Sequence, residues 1–266
     1  MFEWVKRLTG KTEPPTIDET QWRFVEQELP FLAYLPVEAI QHARKLAAEL
    51  LRQKQFYGAN GFELSDRIML SIALQACLPI LRLGIGAYRG WVGVIVYPGD
   101  FRVHRKVLDV DGVVHEFEDV LLGEARADGP VLVSWFDEAG PSGGVNVVIH
   151  EFAHKLDMLE GDADGLPILA PGMRREPWAE AFVPAYEDFC RRVDRGEQTA
   201  IDPYAGEHPA EFLAVTFETF FMAPLRLQAE YPQVYAQLSA LCGVDPAEGE
   251  ARSIRERWLA SHSAGH

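Results

Sequence analysis

The sequence predicts an α+β fold, mainly helical, with helices at both ends of the chain around a small central mixed β-sheet. Three observations lead there. Apolar residues recur at helical spacing from Ile17 to Leu83 and again after Val145. The middle of the chain, Trp91 to Phe136, holds Val- and Ile-rich runs of strand length. Prolines 177, 209 and 232 stand where helices would begin, at positions where a missing N–H costs little. The chain has 266 residues, 48% of them hydrophobic, which is enough to bury a large core and excludes intrinsic disorder.

Residues 1–16 are polar, contain Pro14-Pro15 and read as a flexible lead-in. From Ile17 to Leu83 the pattern is helical, and the segment opening at Pro36 sets Ile40, Ala43, Ala47 and Leu50 on one face. Asn60-Gly61 marks a turn, and Ser65-Asp66 reads as the N-cap and first turn of the next helix. Trp91 to Tyr97 reads as a strand. Asp111-Gly112 lies between two β-type runs and predicts a hairpin. Pro130 to Phe136 gives a buried strand, and Gly140 to Gly144 a flexible loop. Helices are then expected over about Asn146–Met158, Pro177–Val193, Pro209–Met222, Pro232–Leu241 and Ala247–Ala260. No linker divides the chain, so residues 17–246 are expected to form one domain: a helical part 17–83, a sheet 88–136 and catalytic helices 145–222. Residues 247–266 form a C-terminal helix and tail.

Composition narrows the function. Lys and Arg total 25 against 40 Asp and Glu, a net charge of -15. Affinity for a phosphate backbone comes from cationic side chains, so direct nucleic-acid binding is not expected. Cys77, Cys190 and Cys242 are too few and too scattered for a disulfide framework or a Cys-based zinc knuckle, which suits a reducing cytoplasm. The most apolar stretch, Ile68 to Leu81, contains Gln75, is flanked by Arg67 and Arg82, and falls short of the roughly 20 residues a membrane span needs. No apolar signal-peptide region follows the first residues, so a cytoplasmic location is expected. Trp22, Trp91, Trp178 and Trp258 read as core or semi-core anchors, and His104, His115 and His208 as surface or turn residues.

The segment Val147-Val-Ile-His150-Glu151-Phe-Ala-His154-Lys-Leu-Asp157 carries the chemistry. On a helix, residues four apart share a face, so the imidazoles of His150 and His154 can converge on one metal ion. Glu151, one residue round, can reach a water at that metal. A catalytic zinc takes three protein ligands and keeps one open position. The metzincin pattern is excluded, because Asp157 and Glu160 occupy its Gly and His slots. A glutamate farther along is the other common solution, with Glu160, Glu176, Glu180, Glu187, Glu207, Glu211 and Glu218 available. Glu211 is favoured, since it lies one turn into a mostly apolar helix, where a carboxylate is costly unless paired or metal-bound. Glu218, seven residues on and on much the same face, can instead brace a ligating histidine. Glu160 would require a sharp reversal at Gly161. Asp157 can brace an imidazole or cap the helix end, and spacing does not separate the two.

The stretches Pro130-Val-Leu-Val-Ser-Trp135, Val145-Asn-Val-Val-Ile-His150-Glu-Phe-Ala-His154-Lys-Leu-Asp157 and Gly161-Asp-Ala-Asp-Gly-Leu-Pro167 resemble the Mlc titration factor A family. So do Ile201-Asp-Pro-Tyr204-Ala-Gly-Glu-His-Pro-Ala-Glu211-Phe212 and Phe217-Glu-Thr-Phe-Phe221. The likeness runs from about Trp4 to Pro246. It implies a zincin-like core and a zinc-dependent bacterial peptidase whose site is similar to that of the catalytic domain of anthrax lethal factor. By the same resemblance, His150, His154 and Glu211 bind one Zn2+ per chain, Glu151 is the general base and Tyr204 is a catalytic tyrosine. The family leans toward aminopeptidase activity on peptide substrates. In enterobacteria it also binds the glucose-responsive repressor Mlc, which suggests an Mlc-type transcriptional repressor as a partner.

Two functions therefore stand side by side: a zinc aminopeptidase, and a non-catalytic protein that sequesters a regulator while its metal is structural or sensory. The site residues His150, Glu151, His154, Tyr204 and Glu211 favour the first, and the charge distribution bears on its substrate. After residue 145 the chain carries 20 acidic and 10 basic residues, so two thirds of the net negative charge lies in the half that holds the motif. A negative cleft would concentrate metal cations and the ammonium end of a peptide.

Overall fold

The computed structural model describes residues 17–99, 101–108, 114–121, 123–125, 129–136, 146–159 and 161–263. The lead-in 1–16, the Asp111-Gly112 turn, the Gly140–Gly144 loop, Glu160 and the side chains of His104 and His115 lie outside the described residues.

Helix α1 (Glu19–Gln27) opens with a reciprocal cap: the Asp18 carboxylate accepts from the Thr20 N–H at 3.0 Å, and the Gln21 side chain accepts from the Asp18 N–H at 3.1 Å. Helix α2 (Val37–Gln53) buries Ala43, Leu46, Ala47, Leu50 and Leu51, extending the apolar stripe read from the sequence. It stops at Lys54, whose ammonium is drawn inward. Lys54 Nζ donates to the carbonyls of Tyr88 at 2.5 Å and Trp91 at 2.7 Å and stands 4.1 Å from the centre of a Trp91 ring. Those bonds offset the desolvation of a buried charge.

The next segment corrects the expectation that Ile17 to Leu83 is helical apart from the Asn60-Gly61 turn. Strand β1 (Gln55–Gly58) interrupts it and pairs parallel with β2 (Gly93–Pro98). Gly93 permits this approach, because a β-carbon there would overlap the Gln55 carbonyl. Asn60, at φ 54°, makes the turn in a left-handed conformation that Asn tolerates. Helix α3 (Asp66–Ala76) follows, with Ser65 Oγ accepting from the Ile68 N–H as expected. All its residues from Ile68 to Ala76 are buried, Gln75 among them.

Strands β3 (Phe101–Leu108) and β4 (Val114–Leu121) form the expected hairpin, in register from Phe101 opposite Leu121 to Leu108 opposite Val114. Strand β5 (Gly123–Ala125) and strand β6 (Val131–Trp135) complete a four-stranded mixed sheet in the order β1-β2-β6-β5. Its first three strands run parallel, and β5 lies antiparallel at one edge. Helix α4 (Val147–Asp157) packs against β5, β6 and α6 (Pro209–Met222).

Between α4 and α6 runs α5 (Arg175–Asp194). After α6 come α7 (Pro224–Glu230), which the sequence reading did not anticipate, α8 (Pro232–Cys242), stopped by Gly243 at φ 74°, and α9 (Pro246–Ser263). Buried apolar side chains from Ile17 to Ala247 make one contiguous cluster. Phe152 of α4 meets Tyr88 at 5.2 Å and Trp91 at 5.9 Å between ring centres, both edge-on, which pins the motif helix to the core. Trp22, Trp91 and Trp178 are core residues, but Trp258 is 57% exposed, contrary to expectation. Only the start of α9 packs on the body, where Gly249 admits the Tyr34 backbone; residues 254–262 are exposed. Among the described residues no helix is long and apolar enough to cross a membrane.

Candidate active site

Helix α4 begins at Asn146, whose side-chain oxygen accepts from the Ile149 N–H at 3.0 Å. One turn in, His150 and His154 face the same way with ring centres 4.7 Å apart. Helix α6 begins at His208, whose Nδ1 accepts from the Ala210 N–H at 3.2 Å, so the imidazole serves as a helix cap. Pro209 takes the first helical position and places Glu211 in the first turn, pointing at the two histidines. Glu211 Oε2 lies 3.1 Å from His150 Nε2 and 3.2 Å from His154 Nε2, and the two Nε2 atoms are 3.1 Å apart. The three donor atoms thus make a nearly equilateral triangle.

Glu218, two turns beyond Glu211, is 3% exposed. Its Oε1 accepts the Nδ1–H of His150 at 2.7 Å, and its Oε2 accepts the backbone N–H of Asn146. That bond fixes the His150 tautomer, leaving the Nε2 lone pair turned toward the triangle. The bracing role open to Glu218 in the sequence is the one it takes. Glu176, Glu180 and Glu187 lie on α5, and neither they nor Glu207 belongs to the cluster with ligand spacing found among the described residues.

Glu151 is 5% exposed and lies beneath β5, where a β-carbon at Gly123 would overlap its carboxylate. Tyr204 sits in a short 3₁₀ turn, Pro203–Gly206, held by the Asp202 carboxylate accepting from the Tyr204 N–H at 2.9 Å. Its ring centre is 6.2 Å from that of His150, and it is 44% exposed, so it borders the site while facing solvent. Asp157 turns away from a pure capping role: its Oδ2 accepts from the Gly165 N–H at 2.9 Å, tying the end of α4 to the following loop. Burial pushes its carboxyl up to about 6.

The electrostatics follow from the triangle. Burial disfavours a charged His150, yet the carboxylates of Glu211 and Glu218 outweigh it and raise its pKa to about 10. Burial acts on Glu211 in the opposite sense, and His150 and His154 overcome it, holding the carboxyl well below the usual range. Three electron-pair donors this close repel one another unless a cation lies among them. A proton on His150 is one solution and a divalent metal the other. Zn–N bonds of about 2.0–2.1 Å in a tetrahedron put donors roughly 3.3 Å apart, close to the spacing here. His150, His154 and Glu211 are also the residues that group with metal-ligand spacing. The donor set fits zinc.

The whole arrangement has relatives. The family described as glucose-regulated metallo-peptidase M90 matches residues 2–241. The chain belongs to that family. Similar proteins include Mlc titration factor A of Cronobacter sakazakii, 37% identical over 224 residues that cover 82% of this chain and 84% of that one. Mlc titration factor A of Klebsiella pneumoniae is 35% identical over 269 residues, covering 97% and 96%. An uncharacterized Synechocystis protein is 36% identical over 252 residues, covering 91% and 88%. The M90 match ends at residue 241, before α9 begins, and takes in all the residues of the donor triangle.

Gln75, Asn146 and Gly123 also touch this site or its supports, and the sequence reading assigned them no part in it. Gln75 had a signal: a polar side chain in the middle of an otherwise apolar run. Asn146 had a weaker one, its place just before the motif helix. For Gly123 no local signal exists, because its role arises from how β5 lies over α4.

Proposed function

We propose that this chain is a zinc-dependent peptidase that removes residues from the N-terminus of peptides. The observation that carries the reading is the donor triangle of His150, His154 and Glu211, with Glu151 buried beside it. The M90 family membership supports metallopeptidase chemistry. His150, His154 and Glu211 would hold the zinc, which would supply Lewis acidity, lowering the pKa of a water to about 7 and polarising the scissile carbonyl.

The protein groups divide the remaining work. Glu151 accepts the proton of the attacking water and delivers it to the leaving amine. Its burial keeps bulk water from competing for that proton. Tyr204 donates its O–H to the oxyanion that develops on the carbonyl. Glu218 holds the His150 Nδ1 proton. Strand β5, at the sheet edge over Glu151, offers backbone groups to an extended substrate. The acidic excess of the second half of the chain favours substrates with a free ammonium end. Residues 17–246 form the metallopeptidase domain, and the protein acts in the cytoplasm.

Two assays test this. Purified protein should contain one zinc per chain and hydrolyse aminoacyl chromogenic substrates, with Glu151→Gln retaining zinc and losing activity. Unchanged hydrolysis by Glu151→Gln, or equal turnover of free and N-acetylated peptides, would overturn the mechanism or the aminopeptidase assignment respectively. A second reading rests on the relatives named Mlc titration factor A: the chain binds an Mlc-type transcriptional repressor, and its metal is structural or sensory. Capture of such a repressor by Glu151→Gln as well as by wild type would establish that role independently of hydrolysis.

A further inference from the structure

A buried polar chain leads from the N-terminal helices into the site. Gln75 is 5% exposed in a helix whose neighbouring side chains are almost all apolar. Its amide donates to the Ser71 carbonyl and hydroxyl, each at 3.2 Å, and its Oε1 accepts from Asn146 Nδ2 at 2.7 Å. Asn146 is thereby held from two sides, since its own Oδ1 caps the Ile149 N–H. Its backbone N–H, lying just outside the α4 ladder, donates to Glu218 Oε2, and the other oxygen of that carboxylate accepts the Nδ1–H of His150.

We propose that Gln75 is a positioning residue for the metal site, fixing the orientation of His150 through Asn146 and Glu218. The inference rests on the zinc reading above and adds to it a control point on α3, outside the motif. Core packing alone would be served as well by leucine at position 75, without the cost of burying an amide. What leucine cannot supply is an acceptor for Asn146 Nδ2. With that hook lost, the Asn146 backbone is free to rotate at the helix start, and the N–H that aims Glu218 is no longer fixed. A brace behind a metal-bound imidazole typically changes metal affinity 10–100-fold when removed. Gln75 stands two links farther back, so the lower end of that range is expected.

The test is a double-mutant cycle on zinc affinity, read by competition with a chromogenic chelator rather than by hydrolysis. Gln75→Leu should weaken zinc binding about ten-fold. Glu218→Gln should weaken it as much or more, and adding Gln75→Leu to Glu218→Gln should change affinity by less than two-fold, because both act through one carboxylate. Asn146→Ser keeps a capping oxygen but cannot reach Gln75, and should reproduce the loss seen for Gln75→Leu, so the link can be tested even where Gln75→Leu fails to fold. A Gln75→Leu or Asn146→Ser protein that binds zinc within two-fold of wild type overturns the proposal. So does a ten-fold loss that persists undiminished in the Glu218→Gln background, the result of general loosening. Wild-type protein that binds no zinc would overturn the zinc reading itself and this inference with it, an outcome distinct from the other two.

Discussion

Gly123→Ala should separate catalysis from metal binding. Gly123 lies on the antiparallel edge strand directly over the Glu151 carboxylate, and a β-carbon added there would stand 2.5 Å from the carboxyl carbon. Ordinary van der Waals contact begins near 3.4 Å, so either the strand lifts or the carboxylate retreats by about 1 Å. The sheet resists the first, because β5 is bonded to β6 over Gly123 to Ala125 and β6 is bonded to β2. The carboxylate of a flexible side chain therefore gives way. A general base displaced by about 1 Å from its working position costs on the order of 100-fold in rate. The proposed zinc donors lie on α4 and α6 rather than on β5. The assay is turnover of an aminoacyl substrate by protein whose zinc content has been measured. Expected are a kcat down about 100-fold, one zinc per chain and a nearly unchanged KM. A Gly123→Ala enzyme with wild-type kcat would refute the placement of Glu151 as base; loss of zinc would show that β5 supports the metal site instead.

Other consequences are equally direct. If Tyr204 donates to the oxyanion as proposed, Tyr204→Phe should lower kcat about 100-fold while leaving zinc affinity as it was, measurable by steady-state kinetics and chelator competition. In the metal-free protein, the raised pKa of His150 contributes stability that is complete below pH 6.5 and is lost as pH rises through about 10, so thermal unfolding temperature should fall between pH 8 and 10. Zinc must displace that proton, so calorimetry in buffers of different ionisation enthalpy should show about one proton released per zinc bound near pH 7. Phe152→Ala vacates a fully buried site between Tyr88 and Trp91 and should cost about 3–5 kcal/mol in denaturant unfolding.

The long elements were legible because their signals are local and repeated. Helices α2, α4 and α6 are marked by apolar stripes, by Asn146 or by Pro209, and the observed bounds follow those marks. Strands β1 and β5 were not, being four and three residues long. Elements so short carry too few alternations to show a period, and they exist because β2 and β6 offer partners. Trp258 misled for the opposite reason: burial is the usual fate of tryptophan, and only the path of α9 away from the body leaves it in water. At the site, the pairing of His150 with His154 is a property of one helix and could be read from spacing. Singling out Glu211 needed an energetic argument about a carboxylate on an apolar helix. The brace at Glu218 and the hook at Gln75 depend on contacts 68 and 71 residues apart in sequence, and no local pattern encodes those.

Zinc K-edge X-ray absorption on the loaded protein tests the central assignment most directly. Two imidazole nitrogens and one carboxylate oxygen should appear near 2.0–2.1 Å, with one further light-atom scatterer that substrate-like ligands replace. Glu211→Ala should lose the carboxylate contribution and most of the affinity. A spectrum with four non-exchangeable protein ligands, or one unchanged in Glu211→Ala, would contradict an open catalytic centre at His150, His154 and Glu211.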